Sequence, residues 1–295
     1  MSEIAFFGAL EYGFIYGVVA LGVFLTFRVL DFPDLTVESS FPMGGAVAAV
    51  FITGGTDAWT ASVLAACAGA AAGMLTAFLA VQCGILHLLA SILTMLAGYS
   101  INLRIMGRPN ISLLGEETLF SPLEYFSLNP VYGKPLLLAL LSALLIAALA
   151  RMLLSESGLA MRAAGDNPKM LRAQGGNPGF SVYLGLAVSN GLVALGGALF
   201  AQAAGFADVS AGVGTIIFGL AAVILGETLI RAGKIWLMLA ACLAGSLIYR
   251  LAVALALGND GFGMRASDLN LVTAALVALA LVAPRLRARW RAARK

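Results

Sequence analysis

Residues 158–177 read GLAMRAAGDNPKMLRAQGGN. They form a polar, basic island in a chain that is 61% hydrophobic and only 11% charged. Soluble domains carry about a quarter charged residues and less than half apolar ones. On both sides of the island apolar runs recur, many close to the about 20 residues that cross a hydrocarbon core of about 30 Å. The island therefore separates two blocks of membrane helices. The chain reads as an all-α polytopic membrane protein, a single transmembrane domain over residues 1–295.

Nine spans are expected, near 5–27, 36–53, 58–81, 85–106, 135–154, 181–204, 212–230, 234–257 and 268–283. The second and seventh are short and rich in Gly, Pro and Ser, which marks them as broken or re-entrant. The opening MSEIAFFGALEYG lacks the basic start of a cleavable signal. Cys67, Cys83 and Cys242 show no metal or CxxC spacing and read as small packing residues.

Lys and Arg collect on the cytoplasmic side of bacterial membrane proteins. The tail 284–295 carries six basic residues and no acid, so it is placed in the cytoplasm. Nine alternating spans then put the N-terminus outside. Arg28, Arg151, Arg162, Lys169, Arg172, Arg231 and Lys234 fall on the same side as the tail, while Arg104, Arg108, Lys134 and Arg265 face out. Segment 155–180 thus faces the cytoplasm. The net charge of +3 is a topological signal and not a nucleic-acid footprint.

Sliding the chain on itself by 174 positions lays GVVALGVFLTFRVLDFPDL from Gly17 over GLVALGGALFAQAAGFADV from Gly191. Nine identities occur between Gly17 and Gly45, among them Gly22 with Gly196, Phe32 with Phe206, and Asp34 with Asp208. The copies begin five spans apart, in the first and sixth spans, so they would insert with opposite sense. Such inverted repeats, here about 5–106 and 181–283, are a transporter feature, with the substrate path at their interface. In the third span Ala65, Gly69 and Gly73 recur every four residues, a spacing that lets helix backbones approach closely in lipid.

Ionisable groups inside lipid are costly and mark function. In DFPDLTVESSFPMGG, Pro42 is expected to interrupt the helix, and broken backbone at membrane depth needs protein or water around it. Glu38, Ser39 and Ser40, with Asn190, are therefore candidates for a translocation path. The competing reading puts Asp34 and Glu38 at the headgroups, and gives Asn190 and Asn102 a structural hydrogen bond between helices. His87 reads as interfacial, and Glu227, Arg231 and Lys234 as a solvated turn. GETLIRAGKI is not a phosphate loop, since six residues separate its glycines and Ile follows its Lys. A lone His builds no triad or metal cluster. No catalytic residue, metal or cofactor is expected.

The island itself has internal punctuation. Residues 159–164 suit a short helix, Asp166-Asn167-Pro168 a turn and helix start, and PKMLRAQ a second helix closed by Gly175 and Gly176. Arg162, Lys169 and Arg172 would face water, with Met161, Met170 and Leu171 as apolar knobs. Connections between packed helices need only about two to eight residues. This one is long enough to be a docking element for a soluble partner.

The segment RAAGDNPKMLRAQGGN resembles the cytoplasmic coupling loop of ABC-importer permeases of the branched-chain amino acid and monosaccharide class. YGVVALGVFLTFRVLDFPDLTVESSFPMGGAVAA, LLASILTMLAGYSINLRIMG, SNGLVALGGALFAQ and DLNLVTAALVALAL resemble that family's other segments, in order. The nearest subgroup is the one encoded with binding proteins for aromatic amino acids. Around 31–45 the pattern differs from the best-studied members, so their ligands are not carried over. The resemblance implies a permease in a bacterial inner membrane, paired with a second copy or a paralogue. Two ABC ATPases would dock on Leu159, Met161, Arg162, Asp166, Asn167, Lys169, Met170 and Arg172. An extracytoplasmic substrate-binding protein would sit on the loops 107–134 and 258–267. The rival is an ion-gradient-driven secondary transporter or channel, which would need an acid such as Glu38 and no ATPase dock.

Overall fold

The computed structural model describes residues 3–122, 130–230 and 233–257. Their elements are α1 (Glu3–Phe24), α2 (Val37–Thr53), α3 (Ala58–Val81), α4 (His87–Met106), β1 (Asn110–Ser112) and α5 (Pro130–Leu154). After these come α6 (Glu156–Asp166), α7 (Pro168–Ala173), α8 (Pro178–Ala204), β2 (Phe206–Asp208), α9 (Thr215–Leu229) and α10 (Ile235–Leu257). Among the described residues, seven helical segments are long and apolar enough to cross a membrane: those built on α1, α3, α4, α5, α8, α9 and α10. The chain is a multi-pass, all-α membrane protein. At 17 residues α2 is apolar but short for a crossing. The expected span 268–283, the loop 258–267, Arg231 and the basic tail 284–295 lie outside the described residues.

The expected interruption at Pro42 is displaced. α2 runs unbroken from Val37 to Thr53 with Pro42 inside it. Pro42 cannot donate to the Glu38 carbonyl, but that carbonyl lies against the backbone of Gly212, where a Cβ would collide with it. The true break comes earlier. α1 ends in one π-turn, Leu25–Val29, and the chain then leaves the helix altogether before Val37. Pro33 explains this, since it drives Phe32 out of the helical region. Asp31 there takes a left-handed φ of 51°.

α8 is the hub, packed between α3 on one side and α1 and α2 on the other. Small residues make this possible. A Cβ on Gly69 would strike the Asn190 backbone, and one on Gly73 the Leu186 carbonyl. The four-residue spacing in α3 is therefore an internal seam with α8. α1 holds the equivalent place for α9 and α10. Where α1 and α8 cross, the contacts are reciprocal. A Cβ on Gly22 would lie 2.7 Å from the Ser189 carbonyl oxygen and 2.8 Å from Val193 Cγ2. One on Gly196 would lie 3.5 Å from the Ile15 carbonyl oxygen and 2.7 Å from Val19 Cγ2. Each of these positions in the first helix is 174 residues before its counterpart in the second.

Local caps follow the same offset. The Thr36 amide donates to Asp34 Oδ1 at 2.9 Å, and the Ser210 amide to Asp208 Oδ1 at 2.7 Å. α4 and α8 both stop at a left-handed glycine, Gly107 (φ 66°) and Gly205 (φ 77°). The strands that follow pair antiparallel, with Ile111 opposite Ala207.

Candidate functional site

Two polar regions stand out of the apolar bundle. The first is a seam where α2 meets α8. Asp34 is wholly buried, and Asn190 Nδ2 donates to its Oδ2 at 2.7 Å. Ser40 Oγ donates to Asn190 Oδ1 at 2.7 Å, and Asn190 Nδ2 also reaches the Leu186 carbonyl at 3.1 Å. Thr36 and Thr76 join their hydroxyls at 2.7 Å, which extends the seam to α3. Ser39 Oγ donates to the Thr36 carbonyl at 3.0 Å, and Asn102 Nδ2 donates to the Ser39 carbonyl at 3.0 Å, which ties in α4. Buried polar groups that find partners hold helices together; left alone, each would cost about 1–3 kcal/mol.

The four expected path residues part company here. Ser40 and Asn190 are buried and bonded to each other, so they act as a rivet between α2 and α8. Glu38 and Ser39 border a cavity of about 200 Å³ between α2, α4 and the turn Val209–Gly212. Glu38 is half-buried and accepts from the Gly214 amide at 3.3 Å. Asp34, which the competing reading puts at the headgroups, is the seam's central acceptor. The signal for it was present as the match of Asp34 with Asp208. Asn102 makes the hydrogen bond between helices that the competing reading gives it. Gln202 accepts from the Leu119 amide at 3.0 Å and donates to Ser62 at 2.9 Å, clamping the segment after β1 to α8 and α3. His87 stacks on Phe32, with ring centroids 4.3 Å apart.

The second region is the island, which folds as an elbow of two helices, α6 and α7. Asn167 caps α7, its Oδ1 accepting from the Lys169 and Met170 amides, each at 3.1 Å. Gly175, at φ 84°, and the Gly176 amide, bonded to the Leu171 carbonyl at 3.0 Å, close it. Met161 is fully buried among Leu25, Leu30, Leu153 and Leu186. A Cβ on Gly165 would collide with the Val29 carbonyl at the end of the π-turn. Met161 and Leu171 thus anchor the elbow and do not project as knobs. The helical period explains it, because Met161, Gly158 and Ala164 share the inward face of α6. The outward face carries Leu159 and Met170, which are 52% and 57% exposed, with Arg162, Asp166, Asn167, Lys169 and Arg172 also exposed. Next to the elbow, Arg28 Nε meets Glu227 Oε1 at 2.6 Å, so Glu227 is tied to the end of α1. Among the described residues no group of His, Cys, Asp and Glu could hold a metal ion.

The model of the branched-chain amino acid transport system permease component family matches residues 5–283. The chain belongs to this family. The permease is 37% identical over 266 residues to a tyrosine transport system permease protein of Clostridioides difficile, covering 89% of this chain and 85% of that relative. It is 27% identical over 250 residues to the fructose import permease protein FruF of Bifidobacterium longum, covering 81% of this chain and 65% of the relative. Among solved structures, PsaBC from Streptococcus pneumoniae in complex with Fab matches with a TM-score of 0.54 at 16% identity. That match covers 94% of this chain and 89% of the other, a likeness of fold. The permease is accordingly a membrane transport subunit of the ABC-importer class.

Proposed function

We propose that this permease is the membrane-spanning subunit of an ATP-driven importer of an amino acid, in a bacterial inner membrane with the elbow and C-terminus cytoplasmic and the N-terminus outside. The observation that carries the reading is the elbow itself: one face is locked into the bundle through Met161, Leu171 and Gly165, and the other offers a charged rim with two apolar knobs. A lever needs this construction. An ATPase that grips Leu159, Arg162, Lys169, Met170 and Arg172 pushes on α6, and α6 bears on the π-turn of α1 and on α8, the two helices at the centre of the fold. Binding can shift a conformational equilibrium only through contacts that differ between two states. ATP-driven closure of two such subunits around two elbows would supply that difference.

The reciprocal contacts of Gly22 and Gly196 support two halves related as an inverted repeat, about 5–106 against 181–283. Rocking of one half against the other would then open the path alternately. A second permease copy or paralogue, two ATPases and an extracytoplasmic binding protein complete the assembly. The tyrosine transport relative favours an amino acid, aromatic in the first instance. The ion-driven alternative finds less support, since it leaves the elbow without a task.

Arg162→Glu and Asp166→Ala change only exposed groups. In the assembled complex each is expected to abolish solute-stimulated ATP hydrolysis with membrane insertion intact. Full coupling in both variants, measured in proteoliposomes, would overturn the proposal.

A further inference from the structure

We infer that the cavity between α2, α4 and the turn after β2 recognises the ammonium group of the transported solute. The inference rests on the importer reading and assigns the solute group that this cavity holds. The polar residues at the cavity wall are Glu38, Ser39, Tyr99, Asn102 and Ser210. The remainder of the wall is apolar, including Pro42, Leu96 and Val213.

Hydrogen-bond accounting decides what the wall offers. The Ser39 hydroxyl has already given its proton to the Thr36 carbonyl, and the Ser210 hydroxyl donates to Asp208 Oδ1 at 2.6 Å. Neither hydroxyl therefore has a proton left to offer a solute, so each can only accept. Asn102 Nδ2 faces the Ser39 carbonyl, and a flipped amide would set two acceptors against each other, so the orientation is fixed by its partner. This leaves Asn102 Oδ1 buried without a hydrogen-bond partner. A buried acceptor without a donor from the chain takes one from outside it, a water or a solute group. Glu38 adds a carboxylate with one backbone donor only. Among the described residues, no Lys, Arg or His borders the cavity.

A site with one negative charge and several acceptors, but no cation, suits a group that brings positive charge and several donors. A primary ammonium has three donors and no acceptor. It would bond Glu38 and Asn102 Oδ1 together, and the Tyr99 ring gives the rest of the solute an aromatic face. A sugar brings no charge to balance Glu38. The cavity volume of about 200 Å³ fits a metabolite-sized solute, being below the roughly 300–1,000 Å³ of drug-sized sites.

The test uses the full-length permease in lipid nanodiscs with three tritiated, ring-matched probes: L-tyrosine, tyramine and 3-(4-hydroxyphenyl)propionate. Tyrosine and tyramine are expected to bind, and the amine-free acid about tenfold or more weakly. Glu38→Gln is expected to lower tyramine affinity about tenfold to a hundredfold, the worth of a charge-assisted hydrogen bond, and Glu38→Asp to lower it less. Equal binding of the amine-free acid would overturn the inference. So would no tyramine binding up to about 10 mM, or a Glu38→Gln variant that binds tyramine as the wild type does. If Glu38→Gln does not insert, the three probes on the wild-type protein still decide. ATP hydrolysis by the assembled complex reads the importer mechanism separately. Amine selectivity without coupling through the elbow sinks the importer reading alone, and coupling without amine selectivity sinks this inference alone.

Discussion

The seam between α2 and α8 and the elbow of α6 and α7 are both polar interruptions in an oily chain, yet they are built in opposite ways. In the seam, Asp34, Ser40 and Asn190 are buried and spend their hydrogen bonds on one another. In the elbow the polar groups face out, and the anchoring is done by Met161, Leu171 and glycine-sized gaps. The difference teaches that polar residues hold this bundle where lipid and water are absent, while apolar residues hold it where water is near. Each uses the interaction its surroundings make strong. A hydrogen bond gains from a low-dielectric interior, and burial of Met161 gains from the water it leaves.

Asn190→Leu attacks the seam and is expected to have the largest effect. It strands Asp34 Oδ2 and the Ser40 hydroxyl in the interior, a loss of about 3 kcal/mol or more. Loss of the monodisperse folded species after detergent extraction would be the readout. Retention of wild-type stability would mean that the seam is not what joins α2 to α8.

Met161→Ala attacks the elbow from inside. Removing a fully buried Met costs about 2–5 kcal/mol. Here the loss is expected to appear locally, as faster proteolysis within 155–177 and reduced coupling, before the bundle itself yields. Met170→Ser sharpens the contrast from the outside. Its side chain is exposed, so stability is expected to change by less than about 0.5 kcal/mol while ATPase co-purification falls. Equal behaviour of the two Met variants would erase the distinction between the elbow's two faces.

The smallest effect belongs to Arg28→Ala. The Arg28–Glu227 pair is largely solvated, with side chains 58% and 28% exposed, and such pairs contribute about 0–1 kcal/mol. Any difference in thermal stability is expected to vanish in high salt.

Much of the molecule was legible in advance because the signals are local. Span-length apolar runs give the membrane class. Asn167 before Pro168 gives the start of α7, and Gly175-Gly176 its end, since caps need only neighbouring residues. The site was only half legible. Asn190 looked like a path residue as readily as a rivet, because its role depends on Asp34, 156 residues away. Pro42 looked like the break and Pro33 did not, because only packing shows that Gly212 makes room for the Glu38 carbonyl. The inward turn of Met161 depended on which face of α6 meets the end of α1 and α8, and those neighbours come from distant parts of the chain.

By itself the sequence determined the membrane class and the elbow's two-helix design, since these follow from length, hydropathy and short-range capping, while its motifs carried the resemblance to the family. Tertiary structure alone decided which polar groups are satisfied and which are left to meet a solute. Ser40 and Glu38 stand two positions apart on one helix turn, yet one closes onto Asn190 and the other borders a cavity. Helical geometry sends them to different neighbours, and the neighbours come from distant parts of the chain.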